Sequence, residues 1–130
     1  MSRDSVLSGV RILVVEDETI VAWALADNLA EIGCTVVGPA ASVRQALAIV
    51  ATETVDAAIL DVNLDGESSY PIADVLVARG VPFVFSTGYS RSSLSLNYRD
   101  LPMLQKPYGL LELRGALAEL LAGGLAVPPG

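Results

Sequence analysis

Residues 57–64 read AAILDVNL, an apolar run of the strand type that ends abruptly in an aspartate, Asp61. A second run, RILVVEDE at residues 11–18, ends in the same way, in the three carboxylates Glu16, Asp17 and Glu18. Carboxylates at the C-terminal ends of neighbouring buried strands converge on one crevice, and open α/β sheets bind their ligands at that edge. The two runs therefore predict an acidic crevice beside Asp61.

Such a crevice needs a cation, because clustered carboxylates repel one another. At 4 Å and an effective dielectric constant near 20, the repulsion is roughly 4 kcal/mol per pair. A hard divalent metal ion and a lysine are the candidates that would offset it.

The rest of the chain alternates short apolar runs with amphipathic segments. Gly33 and Gly80 are placed to end helices, Ser42 with Gln45 forms a capping box, and Pro71 suits a first helical turn. This alternation predicts βαβ units, hence a parallel sheet with helices on both faces. The predicted strands are Arg11–Val15, Thr35–Val37, Asp56–Leu60, Val81–Phe85 and Leu101–Leu104, and the main helices are Thr19–Ile32, Ser42–Ala51, Pro71–Arg79 and Leu110–Leu121.

Composition narrows the possible functions. The chain has 130 residues, enough for one domain, and its 52% hydrophobic content argues against disorder. We expect a flexible lead-in at residues 1–9, one domain at 10–122 and a tail at 123–130. The net charge of −7 argues against direct nucleic-acid binding, and no basic amphipathic stretch suggests a lipid surface.

Cysteine and histidine usage is also informative. A lone cysteine, Cys34, excludes an internal disulfide and fits a reducing compartment. With no membrane-length apolar run and no signal peptide core, we expect a cytoplasmic protein. The absence of histidine excludes histidine metal sites and Ser-His triads.

Four motifs in chain order resemble the CheY-like receiver domain of two-component response regulators. They are Val15-Glu16-Asp17, Asp61, Thr87 and Lys106-Pro107, each at a predicted strand end, and the resemblance covers roughly residues 10–121. Residues 81–89 further resemble the single-domain subgroup with a Phe-Ala-Thr-Gly-aromatic-Tyr signature. Ser86 replaces the alanine of that signature, and one aromatic position is absent.

The resemblance implies a flavodoxin-like, doubly wound, five-stranded parallel sheet and a phosphoacceptor, Asp61. Asp61 would take a phosphoryl group from a phosphohistidine on a sensor histidine kinase or a histidine phosphotransferase. Glu16, Asp17, Asp61 and the backbone carbonyl of Asn63 would hold Mg²⁺. Lys106 would pair with Asp61 and later with the phosphoryl group, to which the Thr87 hydroxyl would donate.

The same resemblance implies signalling by protein contact. With no output domain after Leu121, we expect a single-domain relay, adaptor or phosphate sink acting on an unknown downstream protein. Its only expected enzymatic activity is the phosphorylation and dephosphorylation of its own aspartate.

Three positions depart from the receiver pattern. Met103 stands where many receivers have an aromatic switch residue, and we hypothesise that Tyr89 supplies this aromatic group. Leu64-Asp65-Gly66 replaces the usual Leu-Pro after the phosphoacceptor. Ser90–Asp100, where the fourth helix should be, has weak helical periodicity.

Other interpretations remain open. Each site residue taken alone could be structural: Asp61 a helix cap, the acidic run a partner of a helix dipole, Lys106 an exposed lysine. Trp23 is predicted to serve packing. A phosphatase of the haloacid dehalogenase type would also use an aspartate nucleophile, but it would want a second aspartate where Asn63 stands.

A receiver-like binding module that is never phosphorylated is a further alternative. A calcium loop starting at Asp61 is disfavoured, because its twelfth residue would be Ile72 rather than a bidentate glutamate.

Overall fold

The structure of the protein is a computed structural model, and it describes residues 7–64, 66–87, 103–106 and 108–122. Its centre is a five-stranded parallel sheet with the order β2-β1-β3-β6-β7, and β4 and β5 form a separate antiparallel pair. The elements are β1 (Arg11–Val15), α1 (Thr19–Ile32), β2 (Thr35–Ala40), α2 (Val43–Thr52), β3 (Ala57–Asp61), β4 (Asn63–Leu64), β5 (Glu67–Ser68), α3 (Tyr70–Arg79), β6 (Phe83–Thr87), β7 (Met103–Gln105) and α4 (Leu110–Leu121).

The strand order confirms the predicted flavodoxin-like, doubly wound sheet. The chain moves from β1 outward to β2 and then returns past β1 to β3, so the winding direction reverses between β1 and β3. Ligands of such folds bind outside the carboxyl ends of the strands at this reversal. The predicted acidic crevice lies at that point, because Glu16 follows β1 and Asp61 ends β3.

Both faces of the sheet are buried, which explains the continuous apolar strands. Leu13 and Leu60 pack with α2 and α3 on one face, whereas Ile12 and Ile59 pack with α1 and α4 on the other. The predicted placement of helices on both faces is confirmed.

The end of β2 differs from the prediction, which stopped this strand at Val37. β2 continues to Ala40, and its register with β1 shifts between Leu13 and Val15. Gly38 makes this irregularity possible, because its φ is +97° and an added Cβ would lie 2.8 Å from the Ala40 nitrogen. As a result the Ala40 carbonyl accepts a hydrogen bond from the Glu16 N–H at 2.9 Å.

The lead-in expected to be loose is ordered at its end. Leu7 is buried in the α1–α4 core, and the Gly9 N–H donates to the Gly33 carbonyl at 2.9 Å. Burial of one large apolar side chain and this hydrogen bond tie the segment down. Residues 1–6 and the predicted tail at 123–130 lie outside the described residues.

The prediction that Trp23 serves packing is wrong. Trp23 is 66% exposed, because it lies one residue beyond Ala22 and therefore about 100° away from the buried stripe of α1. That stripe consists of Ala22, Leu25, Leu29 and Ile32.

Among the described residues, no helix is long and apolar enough to cross a bilayer.

Candidate functional site: an acidic crevice at the strand ends

Four neighbouring strands of the sheet deliver one site residue each. Glu16 directly follows β1, Asp61 ends β3, Thr87 ends β6 and Lys106 directly follows β7. These strands are consecutive in the sheet, so their carboxyl ends form one row. The sheet therefore gathers residues that lie 90 positions apart in the chain, as Glu16 and Lys106 do.

The carboxylates predicted to converge do so. Glu16, Asp17 and Asp61 each offer an oxygen, and these oxygens all lie within 4.8 Å of one another. Glu16 and Asp61 are only 4% and 8% exposed, while Asp17 is half-buried. Such a group of buried anions is costly in free energy unless a cation compensates it.

Lys106 supplies part of that compensation. Its Nζ donates to Glu16 Oε1 at 2.6 Å and to Asp61 Oδ2 at 3.3 Å. The resting partner of Lys106 was expected to be Asp61, and the structure adds Glu16 as the nearer one. One lysine against three carboxylates leaves the crevice anionic when all are ionised.

Main-chain hydrogen bonds hold these side chains in place. The Glu18 N–H donates to Glu16 Oε2 at 3.1 Å, and the Asn63 N–H approaches Asp61 Oδ1 at 3.4 Å. The Lys106 N–H donates to the Thr87 carbonyl at 2.8 Å, which seats the lysine beside the end of β6.

The two buried carboxyl groups, those of Asp61 and Glu16, have pKa values shifted in opposite directions. Burial of its carboxyl group, followed by the hydrogen bond and the charge of Glu16, raises the pKa of Asp61 to about 6. Burial alone would also raise the pKa of Glu16, but hydrogen bonds from Lys106 and the Glu18 N–H hold that pKa below its ordinary value. Glu16 therefore keeps its charge and Asp61 is the carboxyl that resists ionisation.

Lys106 remains a cation in this setting. Burial by itself would lower its pKa, but the hydrogen bond to Glu16 and the charge of Asp61 together raise it. Lys106 can consequently pair with any anion that enters the crevice.

The donor set suits a hard divalent cation. All the ligand atoms of the cluster are carboxylate oxygens, and neither thiolate nor imidazole is among them. Magnesium prefers oxygen ligands of this kind. Carboxylates this close also need added positive charge, so the residues fit such an ion.

The predicted switch residues are only partly described. Thr87 is buried at the end of β6, and Met103, which occupies the family's aromatic position, is half-buried on β7. Tyr89 and Ser90–Asp100 lie outside the described residues, so the hypothesis about Tyr89 stays a prediction.

Sequence reasoning missed the supports of the site. Gly38 and Ala40 hold Glu16 from β2, and the sequence signal for this support is the Gly38-Pro39 pair directly after the predicted strand Thr35–Val37. The β4–β5 pair after Asp61 was also missed, because strands of two residues have no periodicity.

The fold and the site together define a small doubly wound α/β domain with an acidic site at its switch point. The family model described as response regulator receiver domain matches residues 12–118. The chain therefore belongs to the response regulator receiver domain family.

Individual relatives agree with this assignment. SdrG from Sphingomonas melonis Fr1 is 48% identical, with 90% of this chain and 98% of SdrG covered and a TM-score of 0.78. TrrA from Thermotoga maritima, solved in complex with Mg²⁺-BeF, is 25% identical, with 85% of this chain and 98% of TrrA covered and a TM-score of 0.76.

A curated relative is longer than this chain. The transcriptional regulatory protein PdtaR of Mycobacterium tuberculosis is 28% identical over 111 residues, which are 82% of this chain and 54% of PdtaR. The chain thus spans about half the length of the curated relatives that it matches.

Membership in the family bears on the alternative functions that the sequence left open. Receiver domains bind Mg²⁺ at an acidic pocket and interact with histidine kinases or phosphotransfer proteins, and the acidic group found here is of that kind. The calcium-loop alternative is excluded, because Ile72 is fully buried in the core on α3. Family membership also favours a response regulator over the phosphatase.

Proposed function

We propose that this chain is a phosphorylation-dependent response regulator in which Asp61 accepts a phosphoryl group from a phosphohistidine of a partner protein. One observation carries the proposal: Asp61 lies 3.3 Å from Lys106 Nζ and within 4.8 Å of oxygens of Glu16 and Asp17, at the switch point of the sheet. The positions of Asp61, of the Lys106 ammonium and of two further carboxylates support the roles of nucleophile, cation and metal ligands at an edge where such sheets bind ligands.

Mg²⁺ is the proposed cofactor. Glu16, Asp17, Asp61 and the backbone carbonyl of Asn63 would hold it, and their oxygen donors support this choice. The bound ion would offset the charge that develops on the phosphoryl oxygens. Mg²⁺-BeF in the TrrA complex is consistent with the proposal.

The chain's own residues would carry the transfer. A carboxylate oxygen of Asp61 forms the new P–O bond while the P–N bond of the phosphohistidine breaks, and the electron pair of that bond leaves with the imidazole. Lys106 exchanges its contact with Asp61 for one with the phosphoryl oxygens, and the Thr87 hydroxyl donates to another of them. Glu16 stays in place, because β2 and the Glu18 N–H hold it.

The start of α1 is the proposed docking surface for the phosphodonor. Ile20 and Trp23 are 81% and 66% exposed, and α1 begins directly after the acidic loop. A phosphohistidine that reaches Asp61 brings its protein against this surface, where an exposed tryptophan offers a large apolar contact.

We also propose the phosphodonor, the output, the domain bounds and the location of the protein. The donor is a sensor histidine kinase or a histidine phosphotransferase, and the output is a contact with an unidentified protein. Residues 10–122 would form the receiver unit. A cytoplasmic location is included, and the buried thiol of Cys34, the single cysteine of the sequence, is consistent with a reducing compartment.

Incubation with acetyl phosphate and Mg²⁺, followed by mass spectrometry, tests the proposal. Wild type should gain about 80 Da, the mass of one phosphoryl group, and Asp61→Asn should not. Asp27→Asn is the matched control, since Asp27 is an exposed aspartate on α1. Incorporation in Asp61→Asn, or none in wild type, would contradict the assignment, and hydrolysis of a small phosphate ester would favour the phosphatase.

A further inference from the structure

Ser86 is a buried polar residue that the mechanism described so far does not use. Its side chain belongs to a residue that is 2% exposed, and within the described part of the chain its Oγ has no hydrogen-bond partner. A buried hydroxyl without a partner costs about 1–3 kcal/mol in stability. Alanine, which the receiver subgroup signature has at this position, would avoid that cost, so the presence of the hydroxyl needs an explanation.

Ser86 is the neighbour of Asp61 in the sheet. The two residues are register partners in the parallel strands β3 and β6. Ile59 and Val84, two residues earlier in each strand, both pack on the sheet face that α1 and α4 cover. Because side chains alternate along a strand, Asp61 and Ser86 share this face. Adjacent strands lie about 4.8 Å apart, so rotation about χ1 of Ser86 brings its hydroxyl within reach of the Asp61 carboxyl.

The hydrogen bonds that Asp61 accepts are long. Lys106 Nζ lies 3.3 Å from Asp61 Oδ2, and the Asn63 nitrogen lies 3.4 Å from Oδ1. Both distances exceed the usual range for such bonds. In the proposed phosphotransfer Lys106 leaves Asp61 for the phosphoryl oxygens, so the carboxyl group loses one of these donors.

We propose that the Ser86 hydroxyl donates to the carbonyl oxygen of phosphorylated Asp61 and speeds the hydrolysis of the phosphoryl group. The inference rests on the proposed function. In the hydrolysis a water oxygen bonds to phosphorus and the P–O bond to Asp61 breaks. The electron pair of that bond returns to the carboxylate, and the water releases a proton to the solvent as inorganic phosphate forms. A hydrogen bond to the departing carboxylate stabilises the negative charge that develops on it in the transition state.

Tyr108 lies next to Ser86. Its half-buried side chain packs against the α1–α4 core, and its phenol is near the Ser86 hydroxyl without hydrogen-bond geometry. Burial raises the pKa of Tyr108, and the Ser86 hydroxyl acts in the opposite direction. The ring contributes to the burial of Ser86, so bulk water does not compete with Asp61 for the serine hydroxyl.

The rate at which the purified chain loses its phosphoryl group tests the inference. Protein phosphorylated with acetyl phosphate and Mg²⁺ is freed of the phosphodonor by desalting into buffer with Mg²⁺, and its intact mass is followed over time. Ser86→Ala should lengthen the half-life of the phosphorylated form about three- to tenfold, as the loss of one ordinary hydrogen bond in the transition state would.

Infrared spectroscopy of the phosphorylated protein gives a second measurement. The carbonyl stretch of the acyl phosphate is assigned by carbon-13 labelling of the aspartate carboxyl groups. A hydrogen bond weakens a C=O bond, so the stretching frequency should be higher in Ser86→Ala than in wild type. A role of Ser86 in packing alone would not move this frequency.

Ser69→Ala is the matched control. Ser69 is also fully buried, and its Oγ also lacks a hydrogen-bond partner among the described residues, but it directly precedes α3 and lies outside the five-stranded sheet. This variant should keep the wild-type half-life. In urea denaturation, unphosphorylated Ser86→Ala should be at least as stable as wild type, because the hydroxyl that it removes is unpaired.

The outcomes distinguish the inference from the proposed function. If wild type is phosphorylated on Asp61 and Ser86→Ala loses the group equally fast, or keeps the wild-type carbonyl frequency, the inference alone is wrong. Equal lengthening of the half-life by Ser69→Ala would also contradict it. If wild type is not phosphorylated on Asp61, the proposed function is wrong and the inference fails with it.

Discussion

The carboxyl group of Asp61 is buried beside a second buried carboxyl, that of Glu16, and both conditions make the ionisation of Asp61 less favourable. Burial and Glu16 raise the pKa of Asp61 to about 6, whereas Lys106 acts in the opposite direction. Since only the ionised form is a nucleophile, Glu16 and Lys106 set the pH range in which Asp61 can react.

We predict the direction in which two substitutions move the Asp61 pKa in metal-free protein. Glu16→Gln should lower it, because a neighbouring negative charge is lost, and Lys106→Met should raise it, because an attracting cation is lost. Carbon-detected NMR of the labelled carboxyl over a pH titration measures both.

The wild-type midpoint in this titration should lie near pH 6. A midpoint near 4 in wild type, or shifts of the same sign in both variants, would contradict this description of the crevice.

The sequence was enough to predict which residues belong to the site, but not which of their side chains contact each other. Asp61 and Glu16 were identified from their positions at the ends of apolar runs, and Lys106 was identified from the resemblance to receiver domains. The closer contact of Lys106 with Glu16 could not be predicted. Lys106 Nζ lies 2.6 Å from Glu16 and 3.3 Å from Asp61, and this difference depends on how the strands are placed in the sheet.

Among the secondary structure elements, β2 has the least obvious link to the site. Its irregularity at Gly38 moves the Ala40 carbonyl opposite the Glu16 N–H, so an edge strand positions a site carboxylate. The requirement for glycine is strict there, because both the positive φ and the nearby Ala40 nitrogen oppose a side chain.

Gly38→Ala should therefore lower the free energy of unfolding by about 2 kcal/mol or more, through strain and a main-chain clash. Gly80→Ala is the comparison, because Gly80 also has a positive φ but an added Cβ there meets nothing within 4 Å. It should cost about 1 to 2 kcal/mol.

Urea denaturation of both variants gives the two free energies of unfolding. Equal losses would show that the contact with Ala40 adds nothing beyond the strain of a positive φ.

The exposed face of α1 supports a prediction about partner recognition. Trp23→Ala should reduce phosphotransfer from the cognate histidine kinase by about tenfold or more, as the loss of a large apolar contact of about 1.4 kcal/mol would. It should leave phosphorylation by acetyl phosphate unchanged, since the proposed role of Trp23 is to contact the donor protein rather than Asp61.

Kinase candidates are presented one at a time, with radiolabel transfer as the measurement. Arg44→Ala, an exposed substitution on α2 at the opposite face of the sheet, is the control. Parallel losses with both donors would argue that Trp23 supports the fold rather than a partner.

For the whole molecule, the raised pKa of Asp61 makes the free energy of unfolding depend on pH. Asp61 has a pKa near 6 in the folded chain, compared with about 4 in an unfolded chain, so the folded state holds the proton more tightly. The destabilisation is absent below about pH 4, grows as pH rises to 6, and is complete above it.

Metal-free Asp61→Asn should accordingly be more stable than wild type by about 1 to 3 kcal/mol at pH 7. The difference should shrink toward pH 4, where wild-type Asp61 is protonated. Chemical denaturation in the presence of a chelator, repeated across this pH range, measures it.

Added Mg²⁺ should narrow the difference by stabilising wild type alone. A difference in free energy of unfolding between Asp61→Asn and wild type that does not change with pH would mean that ionisation of Asp61 is not the source of the destabilisation. Asp27→Asn, at an exposed position, should show no gap.

Local patterns in the chain were sufficient for the sheet class, the order of helices and strands, and the convergence of carboxylates on one edge. Each of these follows from periodicity, from turn residues and from the handedness of crossovers, which are properties of short segments. They place Asp61 at a strand end whatever the details of packing.

Tertiary packing alone decided the burial of Leu7, the extension of β2 beyond Gly38 and the β4–β5 pair after Asp61. All three depend on contacts between segments that are distant in the chain or too short to show a period. The Asp61 pKa belongs with them, because it comes from the burial and the neighbours that the assembled sheet imposes on an ordinary aspartate.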